Sequence, residues 1–408
     1  MSIEALFTYT FLFISLYFEV FLLVSFLERR SRQRILQTVE IAMLPTVAIA
    51  VPCFNERQGV AETLCSLLAL EYPADKLQII AVDDGSTDDT LAVLQSFAND
   101  SRIRIFSKEN GGKHSAMNLA LANTDAEFIG CLDADSVVAS DALLCMMPVF
   151  QNQRIAAVTP GIHVKAPQNL LQHLQHVEYR LSIFNRFIYA ALGSVFITPG
   201  PFSIFRTATV RELGSWRYAH STEDMEMALR IQEAGHWIAN APKAIVHTLT
   251  PATFPHLFRQ RVRWTYGWLR NAVDYRHMLG NSTYGNLSLV VLPAAIISIF
   301  AGIYFFFRIV YYGIEAIYHK FVYLQYGGPI ATPSFELYYV NTSAMWFLIF
   351  ASVALIVVLI SVGSHIGTGR RMPPLTTPLF LLMYSFLVPL WLSAAVVRAV
   401  FKTGVQWR

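Results

Sequence analysis

The chain has 408 residues, of which 54% are hydrophobic and only 14% charged, with a formal net charge of +3. A chain that also carries 29 Phe, 18 Tyr and 7 Trp is neither a disordered polymer nor a purely soluble domain. The small net charge supplies no basic stripe, which excludes nucleic acid as a partner, and four cysteines without a C-x-x-C pair argue against a zinc or disulfide framework.

Residues 5–27 form an apolar run interrupted by one charge, Glu19. The run is long enough to cross a hydrocarbon core of ~30 Å. Basic residues follow it, in Arg29-Arg30-Ser31-Arg32-Gln33-Arg34, and no small-residue cleavage site is present. It therefore reads as a permanent anchor over residues 1–34 rather than a cleaved signal. Glu19 either serves a function inside the membrane or snorkels and pairs with a neighbouring helix.

Beyond the anchor the pattern changes. Short β-branched runs at 46–51 and 77–82 flank Val60, Leu64, Leu67 and Leu68, which share one helix face. A helix at 88–97, a strand at 103–106, a helix after Gly111-Gly112 and a strand at 127–132 continue the alternation. This predicts an α/β domain with a mainly parallel sheet over 35–245, its ligands bound outside the carboxyl ends of the strands.

Those ends carry the chemistry. The second strand runs into Asp83-Asp84-Gly85-Ser86-Thr87-Asp88, where two carboxylates suit a base or ribose and Ser or Thr caps the next helix. An ordinary Asp-Gly turn explains the same residues. Gly111-Gly112-Lys113 before a helix suits a phosphate, because helix N-termini attract anions and Lys adds a point charge. A loop with a solvated Lys is the alternative. The strand ending at Leu132 runs into Asp133-Ala134-Asp135. In an extended segment residues i and i+2 point to one side, so the two carboxylates converge on one hard cation that neutralises a diphosphate.

Ser221-Thr222-Glu223-Asp224 opens a further helix. Ser221 and Asp224 nearly form a capping box, and Asp224 is equally placed to act as a base. Residues 254–270 mix Arg with aromatics as a membrane-surface helix does, and 246–285 reads as an interface segment. Within it Gln260-Arg261-Val262-Arg263-Trp264 combines polar and cationic groups for a phosphate with a flat ring for a sugar face. The stretch 181–205, which contains Gly200-Pro201, is too polar for a span and reads as interfacial. Three more apolar runs at 287–312, 338–363 and 375–401 make 286–408 a membrane domain with three spans. Arg29 to Arg34 and Arg370-Arg371 then place the large segment at about 35–285 in the cytoplasm and the loop at 313–337 outside.

Asp83-Asp84-Gly85-Ser86, Asp133-Ala134-Asp135, Thr222-Glu223-Asp224 and Gln260-Arg261-Val262-Arg263-Trp264, in that order and followed by spans, resemble the processive membrane-bound family 2 inverting glycosyltransferases. These include cellulose, chitin, hyaluronan and poly-N-acetylglucosamine synthases. The resemblance covers roughly 45–270 and implies a GT-A-like fold with a UDP-sugar donor, a polysaccharide acceptor, a cell-membrane location among lipids, and Mg²⁺ or Mn²⁺. It implies Asp224 as catalytic base. Glu56, Asp83, Asp84, Lys113, Asp133, Gln260 and Arg263 would bind donor, with Asp133 and Asp135 on the metal. Trp264, Glu223 and Gly200 would contact acceptor. Thr198-Pro199-Gly200-Pro201 is closer to the hyaluronan synthases than to the Cys-containing form of cellulose synthases, which leaves the sugar open. Four spans are fewer than in the single-chain synthases that also export. A small membrane partner subunit, self-association or interface helices would complete the path. The alternatives are single transfer to a polyprenyl phosphate lipid and a non-catalytic nucleotide-binding scaffold.

Overall fold

The computed structural model describes residues 3–32, 44–329 and 343–403. Gln33 and Arg34 of the basic run, residues 330–337 of the expected 313–337 loop and residues 338–342 of the expected third span lie outside the described residues.

An N-terminal helix α1 (Ile3–Arg32) precedes β1 (Val47–Cys53), α2 (Val60–Leu68), β2 (Leu77–Asp83), α3 (Thr90–Gln95), β3 (Ile103–Ser107), α4 (Lys113–Ala122), β4 (Phe128–Cys131), β5 (Ser136–Val138) and α5 (Ala142–Met146). Then come β6 (Ile155–Val164), α6 (Leu170–Ala191), β7 (Ser203–Arg206), α7 (Thr207–Glu212), α8 (Glu223–Glu233), β8 (Trp237–Thr248) and α9 (Phe254–Asp274). Three long helices close the chain: α10 (Leu292–Gln325), α11 (Ala344–Thr368) and α12 (Thr377–Phe401).

The strands form one sheet in the order β3-β2-β1-β4-β7-β6-β8-β5. Four pairings are parallel, β1 with β2 and β4, β2 with β3, and β6 with β8. Three are antiparallel, because β7 runs against β4 and β6, and β5 against β8. The sheet is thus mixed, and β7 is the strand that the βαβ rhythm does not announce. Successive residues of a strand face opposite sides, which β1 uses fully. Val47, Ile49 and Val51 pack with α2, α3 and α5 on one face. Ala48 and Ala50, on the other, pack with α4 and α8.

Some local expectations change. The helix expected at 88–97 is shorter, and neither Ser86 nor Thr87 caps it; the Asp88 carboxylate accepts from Thr90 N at 3.0 Å. The 181–205 stretch is the second half of α6, a connection and β7. Strand β8 runs from Trp237 to Thr248, across position 245.

Among the described residues, four helices are long and apolar enough to cross a membrane: Ile3–Glu28, Leu287–Gln325, Ala344–Thr368 and Thr377–Phe401. The second outruns the expected 287–312 and occupies the first part of the expected loop. Helices α6 and α9 join them to the sheet. Leu174 and Val177 of α6 and Leu257, Val262 and Tyr266 of α9 share a core with Ile360 of α11 and Phe380, Tyr384 and Trp391 of α12. Gly363 makes this docking close, for a Cβ there would lie 2.1 Å from the Arg180 carbonyl oxygen. Gly363→Ala must push α11 off α6, and overpacking of this kind costs about 1–3 kcal/mol or more. A lower thermal midpoint in detergent is the expected result, and an unchanged midpoint would show that the contact gives way.

Candidate active site

A cavity of about 650 Å³ opens where the carboxyl ends of β1 and β4 meet α6, α8 and α9. Glu56, Asp84, Lys113, Asp133, Asp135 and Gly200 line it, as do Glu223, Asp224, Gln260, Arg263 and Trp264. All the sequence-nominated residues except Asp83 therefore meet in one place. Asp83 is buried and holds the turn instead, accepting from Ser86 N at 3.3 Å and Ser107 Oγ at 3.2 Å.

Asp133-Ala134-Asp135 is a turn rather than the extended segment that its spacing suggests. Its shape is imposed from below. The one hydroxyl of Thr63 on α2 is shared between the carbonyls of Ala134 at 2.9 Å and Ser136 at 2.8 Å. Gly59 lets α2 approach, since a Cβ there would sit 3.0 Å from the Ala134 oxygen. Asp135 accepts from Ser136 Oγ at 3.1 Å.

The expected phosphate cradle is built differently. Gly111 N and Gly112 N donate to the Asp84 carboxylate at 3.1 and 2.8 Å, and Lys108 Nζ pairs with it at 2.7 Å. Those amides are engaged by protein, because a buried carboxylate needs its donors. Lys113 keeps the role of point charge. Its Nζ lies 2.8 Å from Asp133 Oδ1 and 3.5 Å from Asp224 Oδ1. Burial works against the Lys113 ammonium, but Asp133 and Asp224 outweigh it and raise its pKa well above the usual range.

Asp224 stands in the first turn of α8, and its carboxylate does not cap that helix. Gly200 N donates to Asp224 Oδ2 at 2.8 Å, and Thr198 Oγ1 donates to the Asp224 carbonyl at 2.7 Å. Burial pushes the Asp224 carboxyl above the ordinary carboxylate range; Lys113 opposes the shift, while Asp133 and Glu223 add to it. Glycine at 200 leaves room for these side-chain ends. A Cβ there would meet Lys113 Nζ at 2.2 Å and the Asp133 carboxylate oxygens at 2.6 and 2.7 Å.

Helix α9 roofs the cavity. Gly267 fits against Thr222, Asn271 Nδ2 donates to Thr222 Oγ1 at 2.8 Å, and Arg263 Nη1 donates to the Ser221 carbonyl at 3.0 Å. The loop carrying Asp224 and the Gln260-to-Trp264 segment are thus one unit. Arg261 braces it, pairing with Glu178 of α6 at 2.8 Å while its guanidinium lies 4.4 Å from the Trp264 ring centre. Tyr384 OH of α12 donates to the same Glu178 at 3.0 Å. Gln260 Oε1 is buried with no hydrogen-bond partner.

Arg186 of α6 was not nominated by sequence. It lines the cavity with Nε and Nη2 buried and unpartnered, and burial pulls its pKa down to about 10 against the opposing effect of Tyr179. A lone Arg inside an apolar stretch was the available signal. The far wall of the cavity consists of Ala295 and Ile299 of α10 and Leu392 of α12, so the space reaches the apolar helices.

The family described as "Glycosyltransferase like family 2" matches residues 45–267. A poly-beta-1,6-N-acetyl-D-glucosamine synthase of Staphylococcus epidermidis is 29% identical over 244 residues, 59% of this chain and 58% of the relative. The synthase of the same name from Staphylococcus aureus is 30% identical over 233 residues, 56% of each chain. The chain thus spans little more than half the length of the curated relatives that it matches. Among solved structures, the mannosyltransferase PcManGT from Pyrobaculum calidifontis, in complex with GDP-Man and Mn²⁺, shares the fold with a TM-score of 0.56 and 17% identity, over 96% of this chain and 99% of that one.

Proposed function

The chain belongs to glycosyltransferase family 2, and from that premise we propose that it transfers a sugar, with inversion, from a UDP-sugar to the end of a growing exopolysaccharide at the cytoplasmic face of the cell membrane. The observation that carries this reading is the placement of Asp224, Lys113 and Asp133 around one point of a cavity lined by Trp264. Asp224 takes the proton of the acceptor hydroxyl as its oxygen attacks the anomeric carbon, and the bond from that carbon to the diphosphate breaks. One displacement inverts the centre, and no second carboxylate is needed as nucleophile.

Glu56 and Asp84 face the nucleotide, Gln260 and Arg263 the departing diphosphate, and Trp264, Glu223 and Gly200 the acceptor. Asp83 acts through the turn it holds. Asp133 and Asp135 supply the hard oxygen donors that Mg²⁺ or Mn²⁺ takes, and Lys113 Nζ on Asp133 at 2.8 Å supports the reading that this corner holds positive charge. When bound, such an ion neutralises charge on the diphosphate.

The four apolar helices and the position of Arg370-Arg371 beside the catalytic domain support a multi-pass protein with that domain in the cytoplasm. We assign 1–34 to the anchor, the sheet domain to residues up to 248, α9 and its surroundings up to 285 to the interface, and the remainder to the membrane domain. A small membrane partner subunit or self-association completes the export path. The apolar far wall of the cavity also suits single transfer to a lipid-linked acceptor, and product size separates the two.

Purified protein offered a panel of UDP- and GDP-sugars with Mg²⁺ or Mn²⁺ is expected to release nucleotide from a UDP-sugar. Release from GDP-sugars alone would reverse the donor assignment. Trp264→Ala is expected to lose elongation while retaining slow donor hydrolysis, because it removes the acceptor's platform and leaves the carboxylates in place. Equal loss of both activities would place Trp264 on the donor side.

A further inference from the structure

A second cavity of about 750 Å³ lies on the other side of α6, between that helix, the end of α11 and the 370–376 connection to α12. Its permanently charged lining is of one sign: Arg180 from α6, with Arg370 and Arg371 from the connection, and His173 and His176 of α6 stand beside them. No carboxylate lines it among the described residues. Ser364, Thr368 and Thr376 add hydroxyls.

Arg180 is only 8% exposed, yet none of its hydrogen bonds goes to a carboxylate. Its Nη1 meets His163 Nδ1 at 2.9 Å, and its Nε and Nη2 meet His176 Nε2, each at 3.3 Å. Arg has no acceptor, so these imidazole nitrogens must accept, which places the proton of each neutral ring on the opposite nitrogen. Those opposite atoms, His163 Nε2 and His176 Nδ1, are buried without partners, and so is Ser364 Oγ; of the three residues, His176 and Ser364 line the cavity. Burial, followed by Arg180, pulls both histidines down, His176 to about 4 and His163 to about 3, so both rings are neutral donors at physiological pH. A buried cation lacking a counter-anion, beside N–H and O–H donors lacking acceptors, is costly unless an anion completes the set. Gly363 and Gly367 create the close approach of α11 to α6 that concentrates these groups. The tendency of cationic residues to gather at cytoplasmic helix ends accounts for Arg370 and Arg371. It does not account for Arg180, His173 and His176 on a helix of the catalytic side.

We propose that this cavity is a binding site for a phosphate-bearing anion, either the headgroup of an anionic lipid or a free phosphate. Arg370 and Arg371, both exposed, form its entrance and Arg180 with His176 its inner end. The site is separate from the catalytic cavity, which α6 lines through Glu178, Ser182 and Arg186 on its opposite face.

The full chain is reconstituted in nanodiscs of phosphatidylcholine, with or without phosphatidylglycerol, and its thermal midpoint is read with and without added inorganic phosphate. Binding to the folded state raises the midpoint. A rise with phosphatidylglycerol that R370Q/R371Q abolishes supports the site with a lipid headgroup as its source. A rise with inorganic phosphate in phosphatidylcholine discs, abolished by the same variant, supports it with a free anion. Thr368→Glu, which sets a carboxylate at the exposed rim, is expected to abolish either rise independently. Matching midpoints of native and variant chains in phosphatidylcholine discs show that the variants fold. No rise with either probe, or equal rises in native and variant chains, overturns the proposal.

Discussion

Asp224→Asn lowers sugar transfer by about 10³-fold, the scale on which a positioned general base acts, while leaving the fold intact. The amide fits the same space and still accepts from Gly200 N, but it cannot take a proton from the acceptor hydroxyl. Stability is expected to hold or rise. The native carboxyl has a raised pKa because its surroundings disfavour the ionised form, so the pH at which it works is one at which its charge is a cost to folding. The pH profile follows from the same sign. Asp224 must be ionised to accept a proton, so kcat/KM climbs as pH rises through its pKa, and this limb lies above the ordinary Asp value of about 3.9. A variant with normal transfer would remove Asp224 from the chemistry. An acid limb at the ordinary carboxylate value would contradict its burial, to which Asp133 and Glu223 add.

Gly200→Ala is expected to cost about 10²-fold in transfer, the penalty of displacing reacting groups by an ångström or so. The added methyl has no room between the Lys113 ammonium and the Asp133 carboxylate. Both are side-chain ends that can move aside, so the loss falls on activity rather than folding. The readout is kcat/KM with the thermal midpoint measured in parallel. Loss of activity at an unchanged midpoint is the predicted pair. Full activity would mean that the Lys113–Asp133–Asp224 cluster is not the reacting arrangement.

Much of this site was legible because its residues sit where the chain leaves a strand or enters a helix. Asp133 follows β4, Asp224 opens α8 and Lys113 opens α4, and sheet topology brings such ends to one edge. Three kinds of feature were hidden. Strand direction is absent from hydrophobic periodicity, so antiparallel β7 looked like part of an interfacial stretch. Hydrogen-bond destinations were also hidden: Gly111 and Gly112 read as a phosphate cradle, and only the fold shows that Asp84 occupies their amides. Residues inside long helices carry no local signal of the face they present. Arg186 and Arg180 are six positions apart on α6, yet one faces the catalytic cavity and the other the basic one. Thr63 and Gly59, which shape the Asp133–Asp135 turn from α2 and its start, were unreadable because their contact lies about 70 residues away in sequence.

The most direct test of the central claim is product analysis. The purified full chain in lipid is given its preferred UDP-sugar and a divalent cation, and the product is sized by gel or mass spectrometry and its anomeric linkage read by NMR. A ladder of long products, in the configuration opposite to that of the donor, is the predicted result. A single sugar on a lipid, or a linkage that retains the donor's configuration, would contradict it.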